Sequence, residues 1–392
     1  MLDIREGKVT DRQTDRESGI ELLKVLAMMM IVISHVALTF SSGHPDVLNF
    51  FHISQPGDYF ANFKLPQTNI QYLTIALFCH FGALGNNIFF ICSAWFLLDS
   101  RDFKGKKIIQ MMADVWLISM AFLLVFHFFG FSFNTRQLIK SFLPNTFASN
   151  WYITFYIIFY AIHPYLNKII NGISQTRLLI TALLASFFFL GLRTVKPNML
   201  FGSELMTYIV IYFDIAYVKR YLPILSSKLK LNIGTLIFSL AVLIGLVAAT
   251  NYLGFRSTIL SNKLLHWYTN QNIFIVLASF SLFNIFRHKI FINHYINYIS
   301  GLTLFIYIIH ENILVREILR PLVFVWIKDH YGYGHIVLWV LLFALALFAI
   351  TTLLSTIYKA SVEKVTKRIA GRIYAFVMSH YEVVLRKILI LK

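Results

Sequence analysis

Charge is scarce in this chain. Only 14% of its 392 residues are Asp, Glu, Lys or Arg, whereas a soluble domain of this size carries about 25%. That deficit excludes an ordinary soluble enzyme. Acidic residues are scarcer still, 18 against 35 basic, for a formal net charge of +17. Cysteine is limited to Cys79 and Cys92, which share one apolar stretch. On a helix they stand about 20 Å apart, beyond disulfide reach, and neither has a histidine at metal-ligand spacing. No Gly/Pro/Ser-rich linker and no internal repeat divides the chain, so one domain is expected. No GxSxG elbow or dinucleotide motif occurs, and the histidines are too scattered to mark a metal site.

What the chain does contain is apolar sequence, 58% hydrophobic and 16% aromatic. Runs near 20 residues recur along it, each long enough to cross a bilayer as a helix. We read ten of them, at 20–40, 75–98, 108–131, 150–167, 178–194, 204–218, 231–250, 270–286, 297–315 and 334–357. The expected fold is an all-α integral membrane protein of about ten transmembrane helices. Residues 1–18 (MLDIREGKVTDRQTDRES) form a charged tail, 19–358 the membrane domain and 359–392 a basic tail. The first apolar run lacks a small-residue cleavage site, so no secretory leader is expected.

An even number of spans puts both termini on one side. Most of the basic residues fall on that side, in the N-terminal tail, in DSRDFKGKK and around Lys219, Arg220, Lys228, Lys230, Arg287 and Lys289. Positive charge marks the cytoplasmic face, so both termini are expected in the cytoplasm and the protein in the plasma membrane. The net charge therefore needs no nucleic-acid partner; orientation and attraction to anionic lipid account for it. In the C-terminal tail Val362, Val365, Ile369, Ile373, Phe376 and Val377 recur at helical spacing among basic residues, the pattern of an amphipathic helix on the inner surface. The Ile/Lys/Asn/Phe-rich composition points to an AT-rich bacterial genome.

The first span, ELLKVLAMMMIVISHVALTF, carries Lys24 and His35. Eleven residues rotate an ideal helix about 20° past three full turns and rise roughly 16–17 Å. The two groups share a face, Lys24 near the inner interface and His35 near mid-membrane. Ionisable groups in hydrocarbon normally face a cavity or a partner, and one cavity opening to the cytoplasm would hold both. The competing reading makes Lys24 a snorkelling cation and His35 an interhelical hydrogen bonder.

The stretch IELLKVLAMMMIVISH resembles the first-helix signature of the membrane acyltransferase type 3 family, a basic residue, ten others and then histidine. GALGNNIFFICSAWFLL resembles its second-helix motif at Gly85, Phe89, Phe90 and Ser93, with Asn87 at the acidic position and Ala94 after the serine. NWYITFYIIFYAIHPYLN resembles its Trp-Tyr…Pro segment, and LFIYIIHENI its late helix ending in histidine. The family's Arg-x-x-Arg pair is replaced here by Arg101, Lys104 and Lys107, followed by Gln110.

The resemblance implies transfer of an acyl group, usually acetyl, from cytoplasmic acyl-CoA. The acceptor is a hydroxyl of an extracellular or cell-envelope polysaccharide or its lipid-linked precursor. It implies His35 as the catalytic residue and Lys24 as its required basic partner. Acetyl-CoA is then the donor substrate, and no metal is expected. A histidine with its ordinary pKa near 6.5 suits either removal of the acceptor proton or transient covalent acylation. Lys24, Lys104, Lys107 and Arg101 are candidate contacts to the donor phosphates. Ser93, Asn87, Trp151, Tyr152, His310 and Glu311 are candidates for the cavity or the acceptor. Asp114 and Asp214 read as structural, His127 and His163 as interfacial. Two rival functions stay open from sequence, a polysaccharide flippase and a non-catalytic assembly subunit.

Overall fold

A computed structural model describes residues 17–40, 70–100, 103–196, 203–254, 266–332 and 334–390. Of the described residues 85% are helical, and none lies in a strand. The physical reason is the sequence's own apolarity, since in hydrocarbon each backbone N–H and C=O must be satisfied within its own segment.

In chain order the helices are α1 (Ser18–Phe40), α2 (Ile70–Leu97), α3 (Gly105–Phe128), α4 (Thr135–Phe142) and α5 (Trp151–Gly172). Then come α6 (Gln175–Val195, with a π turn at Phe187–Gly191), α7 (Glu204–Tyr221), α8 (Pro223–Ser227), α9 (Leu229–Gly254) and α10 (Ile273–Arg287). The series ends with α11 (His294–Ser300), α12 (Thr303–His310), α13 (Arg320–Tyr331), α14 (Ile336–Ser361) and α15 (Glu363–Ile390). Six of these, α1, α2, α3, α6, α9 and α14, are long and apolar enough to cross a membrane.

The other four expected spans are helical but differ from that standard. α5 carries buried His163 and Asn167 and a proline at 164. α7 has 18 residues and α10 only 15. The ninth is not one helix. It breaks at Gly301–Leu302 and again at Glu311–Asn312, giving α11, α12 and then a π turn at Val315–Leu319 that leads into α13.

α1 lies at the centre of the bundle, packed most extensively on α2 and touching α10, α11, α12, α13 and α14. Gly85 permits the α1–α2 crossing: a Cβ there would stand 2.6 Å from the Ala27 carbonyl oxygen. Further along, Ser34 donates to the Cys79 carbonyl at 2.7 Å. Residue number thus rises on α1 as it falls on α2, so the pair is antiparallel. Phe90, Phe155, Phe159, Tyr208 and Tyr212 interlock α2, α5 and α7, with ring centroids 4.3 Å apart for Phe155–Tyr208 and 5.1 Å for Phe159–Tyr212. Such aromatic pairs add roughly 0.5–1.5 kcal/mol each beyond their area burial.

One end of the bundle gathers cations. Lys219 donates to the Trp95 carbonyl at 2.6 Å, Arg220 to the Ile170 carbonyl at 3.1 Å, and the Arg287 guanidinium lies 4.3 Å from the Trp95 ring centroid. Lys24 and Lys107 line a common cavity at this end.

Candidate functional site

Lys24 sits two turns into α1. Its Nζ lies 2.6 Å from Glu21 Oε2, one turn earlier, and Glu21 also accepts from Ser300 Oγ. The pair tethers α1 to the α11–α12 segment. It also anchors a cavity of about 220 Å³ whose wall includes Lys24, Ser93, Lys107, Tyr152, Tyr156 and Tyr307. Met28 and Ile31 continue the Lys24 stripe along that wall, and the same helical face reaches His35 one further turn along. The expected common face of Lys24 and His35 is therefore present. The cavity lining stops at Ile31, one turn short of His35. The Tyr307 ring stands between, 5.9 Å from the Tyr152 centroid on the cavity side and edge-on to His310 at 5.6 Å on the other.

Beyond Tyr307 the first helix meets the broken ninth. α12 ends at His310, and Asn312 Oδ1 accepts from Leu314 N at 3.0 Å, so its side chain restarts the helix. This interruption leaves His310, Glu311 and Asn312 buried opposite His35. His35 Nδ1 lies 2.9 Å from Glu311 Oε1 and 3.1 Å from His310 Nε2. His310 Nδ1 stands 2.7 Å from the Ile306 carbonyl oxygen, which can only accept. That bond assigns the His310 proton to Nδ1 and leaves its Nε2 as an acceptor. With that tautomer His35 donates through Nδ1, to His310 and Glu311 together, and in the neutral ring its Nε2 carries the lone pair.

Two arginines complete the cluster. Arg320 Nη1 is 3.0 Å from Glu311 Oε1, and Arg316 Nη1 is 3.7 Å from Oε2. Arg320 is among the largest fully buried side chains of the protein. A lone buried carboxylate would carry a desolvation cost of several kcal/mol; the guanidinium and the imidazole N–H offset it here. The adjoining Glu317 is held by Arg136 at 3.2 Å and by Gln137 Nε2 at 3.3 Å, and Gln137 also forms the capping box of α4 with Asn134. A short amphipathic helix is thereby fixed over the cluster at the end of the bundle away from Lys24.

His35, His310 and Glu311 are also residue types that ligate metals, with ligand atoms within 4.8 Å of one another. The donor set is already committed, however. Glu311 is neutralised by Arg320, and the His310 lone pair faces the His35 N–H. A cation would have to displace both, so the constellation fits a hydrogen-bonded relay better than a metal site.

The sequence-predicted residues thus divide into two groups. Lys24, Ser93, Lys107 and Tyr152 surround the cavity, and Ser93 is within hydrogen-bonding reach of Tyr156. His35, His310 and Glu311 form the cluster above it. Asn87 turns elsewhere, donating to the Asn270 carbonyl at 3.0 Å, and its neighbour Asn86 lines the cavity instead. Trp151 packs edge-on to Tyr152 at 5.6 Å without reaching the cavity wall. Lys104 is exposed just ahead of α3, and Arg101 lies outside the described residues.

His163 is fully buried among the helices, its Nδ1 2.5 Å from the Tyr160 carbonyl, whereas His127 is exposed at the end of α3. Asp114 and Asp214 bind hydroxyls, Tyr358 at 2.8 Å and Ser186 at 2.7 Å. Glu21, Tyr307, Arg316 and Arg320 were not singled out in the sequence. The arginines follow the ninth apolar run in what reads as a loop, and only the break at Glu311 folds them back.

A family model described as an acyltransferase domain matches residues 17–359. No curated protein and no solved structure matches the chain.

Proposed function

Because the chain belongs to the acyltransferase 3 family and is a membrane acyltransferase, we propose that it moves an acetyl group from cytoplasmic acetyl-CoA to a hydroxyl of an extracellular or cell-envelope polysaccharide, or of its lipid-linked precursor. In this reading the chain crosses the plasma membrane ten times with both termini in the cytoplasm. The end of the bundle that gathers Lys24, Lys107, Lys219, Arg220 and Arg287 is then the inner one, in keeping with the positive-inside rule.

The observation that carries the chemistry is the contact of His35 Nδ1 with Glu311 and His310. It fixes the imidazole with Nε2 as the basic nitrogen, and it sets a carboxylate where positive charge develops once that nitrogen takes a proton. The acceptor oxygen attacks the thioester carbonyl carbon as its proton passes to His35 Nε2. The tetrahedral intermediate collapses with cleavage of the carbon–sulfur bond. The proton on His35 then goes to the departing sulfur, and free CoA and the O-acetyl ester result. Glu311 stabilises the imidazolium between these two proton transfers, and Arg320 keeps Glu311 ionised for that task.

Lys24 and Lys107 suit the phosphates of the donor, since both line the cavity at the basic end and lysine holds phosphate as a point charge. The axial rise from Lys24 to His35 leaves the length of the cavity for the extended arm between phosphate and thioester. Tyr307, standing between cavity and histidine pair, must turn aside for that arm to arrive.

The decisive assay is purified protein in liposomes with radiolabelled acetyl-CoA inside and candidate saccharides outside. Wild type should transfer label to a competent saccharide and His35→Ala should not. Equal transfer by both would end the proposal. Saccharide movement without any need for acetyl-CoA would favour a flippase.

A further inference from the structure

The C-terminal helix α15 is used by none of the chemistry above, and its side chains have three kinds of surroundings. Thr366 and Ala370 are fully buried, and with Gly371 and Tyr374 they form the face turned to the bundle. The Tyr374 ring rests against Gly105, where an added Cβ would stand 2.6 Å from its Cε2, and Lys106 Nζ approaches Gly371, 3.2 Å from a Cβ placed there. α15 is therefore seated on the first turn of α3. Lys107, on that same turn, lines the cavity of Lys24 and lies 5.1 Å from the Tyr160 ring centroid.

A second face is apolar and uncovered. Val365, Ile369, Ile373, Phe376 and Val377 are 43–62% exposed, and at 100° per residue they fall within an arc of about 120°. The third face carries Lys364, Lys367, Arg368 and Arg372, all exposed. Among the described residues Lys367 has a carboxylate close by, Glu363 at 2.9 Å. α15 follows within two residues of α14, a helix long enough to span the bilayer. It leaves the membrane at the end where the bundle's other cations gather. An apolar stripe backed by a basic face, at the level of the headgroups, is complementary to a negatively charged lipid surface. A soluble protein partner would not need the stripe to emerge at that level.

We propose that α15 is an interfacial helix that binds anionic lipid through this stripe and its basic face, and that this binding holds the first turn of α3, with Lys107, at the mouth of the cavity. The apolar side chains enter the headgroup–acyl boundary while Thr366, Ala370 and Tyr374 keep the helix seated on the bundle. The first part of the inference is independent of the acyl-transfer reading; the second gives it a place in that reading, by making the donor site depend on lipid charge.

The test uses the full chain in liposomes, either of phosphatidylcholine alone or with about one-third phosphatidylglycerol. Cys79 and Cys92 are both buried, so a Phe376→Cys variant can be labelled selectively with an environment-sensitive dye. With anionic lipid the dye should be quenched by acyl-chain nitroxides and shielded from aqueous iodide. Each basic side chain near such a surface contributes about fivefold to partitioning, so changing Lys364, Lys367, Arg368 and Arg372 together to Gln should abolish the difference between the lipids, as should high salt. Hydrogen exchange over residues 105–110 should be several-fold slower in the anionic vesicles. A dye equally open to iodide in both lipids overturns the lipid-binding proposal. Dye insertion with unchanged exchange at 105–110 overturns the link to α3. Neither readout depends on turnover, so a failed transfer assay leaves both interpretable.

Discussion

His35 on the first helix and Glu311 at the break of the ninth segment meet with Nδ1 and Oε1 2.9 Å apart. That one contact orients the imidazole and sets a carboxylate beside it. It also depends on Arg320, which holds the same carboxylate oxygen at 3.0 Å from the other side.

Glu311→Gln keeps the shape and a hydrogen-bond acceptor but removes the charge. Turnover should fall about 10²–10³-fold, within the usual worth of a positioned acid–base partner, with donor KM little changed. Steady-state kinetics on reconstituted protein decides this. A fall confined to KM would mean that Glu311 binds substrate instead of serving His35.

Arg320→Met leaves Glu311 buried with less neutralisation and should cost about 3–5 kcal/mol of stability, the range for breaking a buried ion pair. The double variant Glu311→Gln, Arg320→Met removes both charges and should recover part of that loss. Thermal unfolding of the four proteins of the cycle in one detergent yields the coupling; strict additivity would show that the two residues do not stabilise each other.

Asn312 restarts the helix after the break through its bond to Leu314 N. Asn312→Ala should lower stability by about 1 kcal/mol, as for loss of a helix cap, and reduce turnover because Arg316 and Arg320 follow on that segment. Asn312→Asp, which retains the accepting oxygen, should restore most of the stability.

Lys24 and Lys107 line the cavity whereas Lys104 does not. Lys24→Ala and Lys107→Ala should each raise donor KM about tenfold, the loss of one charge-assisted phosphate contact, and Lys104→Ala less than twofold. Equal effects from all three would point to a diffuse basic surface in place of a defined phosphate position.

The closeness of α1 and α2 rests on Gly85. Gly85→Val should destabilise the protein by about 1–3 kcal/mol, the usual cost of overpacking, because its Cβ alone would meet the Ala27 carbonyl at 2.6 Å. Unfolding midpoints of Gly85→Ala and Gly85→Val, ranked by added volume, test the steric explanation.

The all-helical fold, the membrane class and the shared face of Lys24 and His35 were determined by the sequence alone. Hydropathy and the 3.6-residue period are local properties, readable without knowing what packs on what. The family resemblance, likewise, rested on short contiguous motifs. What only the tertiary structure decided is the company those residues keep. A continuous apolar run at 297–315 conceals a break at Glu311, where a carboxylate held by Arg316 and Arg320 meets His35 of α1. The same holds for Asn86, which faces the cavity while adjacent Asn87 faces Asn270. One residue is 100° of helix rotation, and the packing of α2 against α1 and α5 chose between them. Lys107 and Lys104 are alike in sequence, yet the seat of α3 sends one to the cavity and leaves the other in solvent. Local periodicity sets which side chains share a face; long-range packing sets what that face meets, and the proposed chemistry depends on the second.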